Sequence, residues 1–259
     1  MATTLAPLHG KESERVDPTE ELRYPTTQGL ARHGTWLHAH AVTQAYQALR
    51  RHFLARDDLF IAQTMCLYYR WHKVERCLMP DLFLAFDVAH KSRRVFKVWE
   101  EGGRVPDFVL EVSSVSTVHR DKGFKKNEYR KLGVREYWQL DTVGDLLASH
   151  LVGYRRVGRR FDQIGSSGLR GGRLEYRSGV LGLDLRAEPC DGGVKVVFRD
   201  PLTGEDIPTG DEVDRRLEES EGLRSAERAG RLRAEARADA AEERAKRAEE
   251  RCRILESGV

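Results

Sequence analysis

Cysteine is scarce in this chain, and the four present, Cys66, Cys77, Cys190 and Cys252, stand far apart. None forms a C-x-x-C pair, so zinc-ligand spacing is absent and reduced thiols in a cytoplasmic protein are expected. Long apolar runs are lacking too. No stretch approaches the ~20 residues of a membrane span, and the opening MATTLAPLHGKESERVDPTE is too polar for a secretory signal. A strong excess of one charge is also missing. A formal charge of +3, on a chain with 33% charged residues, gives little bulk attraction to nucleic acid or membrane, although a local basic patch is compatible with it. What is present is 40% hydrophobic residues over 259 positions, enough for one large domain or a domain with an appendage.

Residues 1–34 read as a polar arm. Trp36, Ala39, Val42, Tyr46, Leu49 and Phe53 then step by three or four, which predicts an amphipathic helix from Trp36 to Leu54. Leu59 to Tyr69 reads as one strand, and the alternating Leu82, Leu84, Phe86 and Val88 as a second. The charged connection 89–105 leaves room for a short strand at Val95 to Trp99. VPDFVLEVSS, Val105 to Ser114, is the next strand, with Phe108, Leu110 and Val112 on one side. Thr117 to Leu132 is helical, closed by Gly133, and EYWQLD, Glu136 to Asp141, is again a strand. Further strands are expected at Asp145 to Tyr154, Arg173 to Arg177 and Val194 to Phe198, followed by a linker at 201–210.

Composition shifts sharply after that linker. Residues 211–259 are mostly Arg, Glu and Ala, and Ala234, Ala238, Ala241, Ala245, Ala248, Cys252 and Leu255 alternate four and three apart. That is a heptad seam, supported by i,i+4 pairs such as Glu242 with Lys246. Alanine buries little area, so a coiled coil and a solvated single helix both stay open.

Chemistry concentrates on the side of the VPDFVLEVSS strand that carries Asp107, Val109, Glu111 and Ser113. If the Leu82 strand runs antiparallel beside it, Asp81 falls near Glu111 and Ser113, while Asp107 falls nearer Asp87. Two adjacent carboxylates repel unless one is protonated or a cation lies between them. Oxygen-only ligands suit Mg²⁺, with water and substrate phosphate completing its shell. On the following helix, at about 100° per residue, Lys125 lies within roughly 20° of Leu132 and 40° of Tyr129. An inward lysine needs an anion, and Glu111 is the candidate. The alternatives are strand-opening aspartates and a lysine whose amine reaches water.

The run PDFVLEVSSVSTVHRDKGFKKNEYRKLGVREYWQLD, with MPDLFLAFD before it, resembles the Uma-type endonucleases of the restriction-endonuclease-like PD-(D/E)XK nuclease superfamily. The resemblance extends over roughly residues 35–190. It implies an α/β fold with a restriction-endonuclease-like αβββαβ core, additional C-terminal strands and a long charged C-terminal helix, the nuclease domain spanning 35–200. It also implies a Mg²⁺-dependent (or Mn²⁺-dependent) enzyme hydrolysing DNA phosphodiester bonds. Asp81 and Glu111 would be catalytic metal ligands, with the Val112 backbone carbonyl completing the inner shell and Asp107 a further ligand. The superfamily's usual lysine, two residues after the glutamate, is replaced by Ser113, and the Uma-type pattern supplies Lys125 instead. Asp121 is read as a cap and Tyr129 as packing. His119, Arg120, Lys122, Lys126, Lys91, Arg93 and Arg94 are candidate phosphate contacts. DNA is the expected partner, and a homo-oligomer through the C-terminal helix or the nuclease domain is compatible with the sequence. Two rival readings remain: a non-catalytic DNA-binding or assembly protein on the nuclease fold that joins partners through its C-terminal helix, and a metal-dependent hydrolase of another phosphate ester.

Overall fold

A computed structural model describes residues 36–256, so the proposed arm at 1–34 lies outside the described residues. The first element, α1 (Trp36–His52), buries Ala41, Val42, Ala45, Ala48 and Leu49. Its alanines let the helix lie close to the sheet, and Arg50, Arg51 and His52 in the last turn suit the negative end of the helix dipole.

Strand β1 (Leu59–Gln63) does not run on to Tyr69 as the apolar pattern suggests. Thr64 adopts a positive φ of 50°, an unusual conformation for a β-branched residue, and its amide bonds to the Asp81 carbonyl at 2.9 Å. The chain leaves the sheet there and forms β2 (Leu67–Tyr68) and β3 (Cys77–Leu78). The central sheet resumes with β4 (Leu82–Phe86), which Asp87 ends with a φ of 55°. The expected strand near Val95 shrinks to β5 (Phe96–Lys97), followed by a 3₁₀ turn at Val98–Glu101. Strands β2, β3 and β5 make a small three-stranded sheet.

Both β6 (Phe108–Ser113) and β7 (Glu136–Asp141) are buried along their whole length. They pair in parallel, Glu111 beside Gln139 and Ser113 beside Asp141. A parallel pair requires a crossover, here α2 (Val118–Arg120), a π-helical stretch (Asp121–Lys125) and α3 (Lys126–Leu132) in immediate succession. Gly133, at a φ of 99°, closes α3, its amide reaching the carbonyls of Tyr129 and Arg130.

β8 (Leu151–Val157) and β9 (Arg160–Gln163) extend the sheet to the order β1-β4-β6-β7-β8-β9. β8 starts later than Asp145 for a definite reason. The Asp141 carboxylate accepts the amides of Val143, Gly144, Leu146 and Leu147 and holds them in a loop. A second sheet follows, of β10 (Gly168–Arg170), β11 (Arg173–Arg177), β12 (Asp184–Cys190) and β13 (Gly193–Arg199).

Each face of the central sheet has its own core. Leu82, Leu84, Phe108, Leu110, Val112 and Trp138 meet α1 together with Leu185, Val196 and Phe198 of the second sheet. Phe83, Ala85, Val109 and Tyr137 meet Tyr129 of α3 and Leu67 and Phe96 of the small sheet. The architecture is thus α/β, with a helix, three sheet strands, a helix and a strand in chain order. The segment read as a linker folds back on β13: Ile207 donates its amide to Phe198 and is buried. From it springs α4 (Gly210–Glu256).

Candidate active site

Alternation along β6 puts Val109, Glu111 and Ser113 on the side of α3, and Glu111 and Ser113 are buried there. The register of β4 on β6, Leu82 opposite Leu110 and Leu84 opposite Phe108, sets Asp81 opposite Glu111. The ladder ends at Leu82, and among the described residues no strand lies beside the next stretch of that β6 edge. The Asp81 carboxylate takes its place, accepting the Val112 amide through Oδ2 at 2.9 Å. His38 Nε2, at the start of α1, lies 3.2 Å from the same oxygen.

Glu111 is fully buried. Its Oε2 accepts from Lys125 Nζ at 2.8 Å, and its Oε1 accepts from Tyr129 Oη at 2.8 Å. Lys125 also stands 3.0 Å from Asp121 Oδ1. That ion pair is not aligned as a hydrogen bond, and both Asp121 oxygens lack a hydrogen-bonding partner among the described residues. The Asp121 carbonyl accepts from Tyr137 Oη at 2.9 Å. Asp121 is therefore no helix cap. It sits within the helix, fully buried, and adds a third carboxylate to the group. The π-helical stretch turns both Asp121 and Lys125 inward, a distortion found often where helices carry function.

The electrostatics follow from the count. One ammonium faces the carboxylates of Asp81, Glu111 and Asp121. Burial, and after it the charges of Asp81 and Asp121 working against Lys125, push Glu111 up to about 8. Burial alone would lower the Lys125 amine, but Glu111, Asp121 and Asp81 outweigh it and hold the amine above its ordinary value. Burial and the Glu111 charge raise the Tyr129 phenol well above 10, keeping it a donor. Two further buried polar atoms on this face, Ser113 Oγ and Gln139 Nε2, have no hydrogen-bonding partner among the described residues.

Surplus negative charge and oxygen donors, with Asp121 ion-paired to Lys125 but without a hydrogen-bonding partner among the described residues, fit a small hard cation. Among the described residues no three His, Cys, Asp or Glu side chains form a ready-made metal cage. Carboxylate oxygens are the donors that hard divalent cations take, with water filling the rest of the shell.

Asp107 is not brought to this group. Four residues up the strand, it accepts the Phe86 amide through Oδ2 at 2.9 Å and lies 3.4 Å from Arg135 through Oδ1. Those bonds clasp the end of β4 to Arg135, the residue before β7. Arg93 is likewise engaged: it pairs with Glu101 at 2.6 Å and lies over the Phe60 ring. His119, Arg120 and Lys122 are exposed on the helix that carries Lys125, while Lys126 rests on the Tyr154 ring. Asp121 could have been found in the sequence: the same wheel that turns Lys125 inward puts Asp121 within about 20° of Leu132.

Comparison with known proteins adds the following. The model of the family Uma2, described as "putative restriction endonuclease", matches residues 15–165. A solved structure from Anabaena variabilis ATCC 29413, described as "a putative nuclease belonging to DUF820", aligns with 11% identity and a TM-score of 0.37, over 58% of this chain and 78% of that one. No curated protein matches the chain.

Proposed function

The chain belongs to the Uma2 family, and from that premise we propose that it is a metal-dependent endonuclease hydrolysing DNA phosphodiester bonds. One observation carries the reading: a buried lysine on a glutamate inside the central sheet, with a second acid across the strand pair. Packing alone gives no reason to bury so much charge, because a hydrophobic replacement of such a group is often as stable or more so.

In this reading Asp81 and Glu111, with the Val112 carbonyl, hold Mg²⁺, or Mn²⁺ in its place. Such an ion supplies Lewis acidity at a phosphoryl oxygen and offsets charge in the transition state. Lys125 stays protonated among the carboxylates and offers its amine to the charge that develops on the phosphate. Tyr129 fixes one oxygen of Glu111 and so sets the direction of the other. Asp121 keeps Lys125 charged and orients it. Lys125 does the work expected of a lysine at position 113, from the helix instead of the strand. His119, Arg120 and Lys122, exposed beside the site, are suited to the DNA backbone.

The test is incubation of the purified protein with supercoiled plasmid and with single-stranded DNA, in Mg²⁺, in Mn²⁺ and in EDTA. Nicking that depends on the metal and stops in EDTA supports the proposal. Absence of cleavage under all conditions favours the reading of a non-catalytic protein on this fold, to which Ser113 and the long α4 also point.

A further inference from the structure

Helix α4 is the longest element, 47 residues, or about 70 Å at the usual rise. Among the described residues only its root is attached: Gln47 Oε1 accepts the Gly210 amide at 3.0 Å, and Lys195 pairs with Glu212 at 2.6 Å. From residue 214 to residue 253 every residue except Ser220 and Ala240 is exposed. The Arg231–Glu227, Lys246–Glu242 and Arg247–Glu243 pairs lie along the helix itself. Each such pair contributes only tenths of a kcal/mol, and in proteins most helical stability comes from packing of one face rather than from propensity.

The charges flanking the seam say what covers it. With Ala238, Ala245 and Cys252 at a, and Ala234, Ala241 and Ala248 at d, the e positions are Glu235, Glu242 and Glu249. The g positions are Arg237, Arg244 and Arg251. Every e residue is acidic and every g residue basic. In a parallel pair each g residue faces the e residue of the next heptad on the other helix, so Arg237 meets Glu242 and Arg244 meets Glu249 of the second copy. An antiparallel pair would oppose e to e and g to g, setting Glu against Glu and Arg against Arg. The pattern fits its own copy in one direction only.

We propose that α4 is a parallel homodimerisation helix, joining two copies of this chain through the alanine seam between residues 234 and 252, with orientation set by Glu at e and Arg at g. Small side chains let the two helices approach closely but bury little apolar area, so the association leans on charge and weakens with salt. The parallel register also places Cys252 beside Cys252 of the second copy. Cys66 and Cys77 are buried and Cys190 is half-buried, so Cys252→Ser identifies the thiol that reports.

The test uses the full chain. Mild oxidation with diamide should give a disulfide-linked dimer that disappears in Cys252→Ser. Sedimentation velocity should show self-association that declines between low and high salt. The triple variant Glu235→Arg, Glu242→Arg, Glu249→Arg should associate on the order of tenfold more weakly, from the lost pairs and new repulsion. The complementary Arg237→Glu, Arg244→Glu, Arg251→Glu variant should do the same. Mixing the two should restore association and the Cys252 crosslink. A monomer at every concentration, or a dimer and crosslink unchanged in both triple variants, would overturn the proposal.

Discussion

Lys125 Nζ meets Glu111 Oε2 at 2.8 Å across 14 residues of sequence, with both groups withdrawn from solvent. The pair spans the crossover between two parallel strands, so helix and sheet must be packed before it exists. Its energetics separate two contributions. Lys125→Met removes the ammonium and leaves Glu111 and Asp121 facing each other, whereas Tyr129→Phe removes one hydrogen bond to Glu111. The phenol should cost ~1–3 kcal/mol, and the lysine about 3–5 kcal/mol where the carboxylates are ionised. Because a proton can substitute for the amine, the lysine penalty should be larger at pH 9 than at pH 6. Denaturant unfolding of both variants at the two pH values measures this, and a lysine penalty independent of pH would contradict it.

The pH dependence of the wild type has a definite sign. Glu111 is raised from 4.5 to about 8 in the folded chain when no cation is bound. Between those values the folded chain keeps a proton that the unfolded chain has released. Stability therefore falls as pH rises through that window, by at most ~1.4 kcal/mol per pH unit. Lys125 acts outside it. Its raised value gives a contribution fully present below the ordinary lysine range and lost only at strongly alkaline pH. Thermal unfolding in EDTA should show Tm decreasing from about pH 5 to pH 8, and Glu111→Gln should flatten that slope. The same slope in the variant would show that the proton sits elsewhere.

A third prediction concerns the opposite face of the sheet. Gly153 pairs with Trp138, and an added Cβ would stand 2.5 Å from the indole ring. Trp138 is fully buried, in contact with Phe108 and Tyr176. Gly153→Ala should cost ~1–3 kcal/mol by overpacking. Cleavage well below its Tm should remain, because Glu111 and Lys125 lie on the other face. Unchanged stability would mean that the ring shifts freely.

Much of this arrangement is legible in the sequence, for physical reasons. Period-two alternation names the faces of β4 and β6, and the wheel about Tyr129 and Leu132 turns Lys125 inward. Other features depend on contacts that no local pattern carries. The break after Gln63 rests on Thr64 bonding the Asp81 carbonyl, and the late start of β8 rests on Asp141 collecting four amides from the loop after it. Asp107 looks like Asp81 in sequence, since both follow a proline, yet one binds Phe86 and Arg135 while the other lies opposite Glu111. Asp121 is different: the wheel gives its inward angle, and its full burial comes with the π-helical stretch that carries it.

The most direct measurement is the single-turnover cleavage rate of plasmid DNA in Mg²⁺ or Mn²⁺ by the wild type and three variants shown to fold: Glu111→Gln, Lys125→Ala and Asp107→Asn. The account predicts that the first two lose at least about 100-fold in rate, the scale of a removed electrostatic or acid–base group. Asp107→Asn keeps an acceptor for the Phe86 amide and should cleave within a few-fold of the wild type. Equal cleavage by all four proteins, or a loss confined to Asp107→Asn, would contradict the assignment of the Asp81, Glu111 and Lys125 group as the catalytic centre.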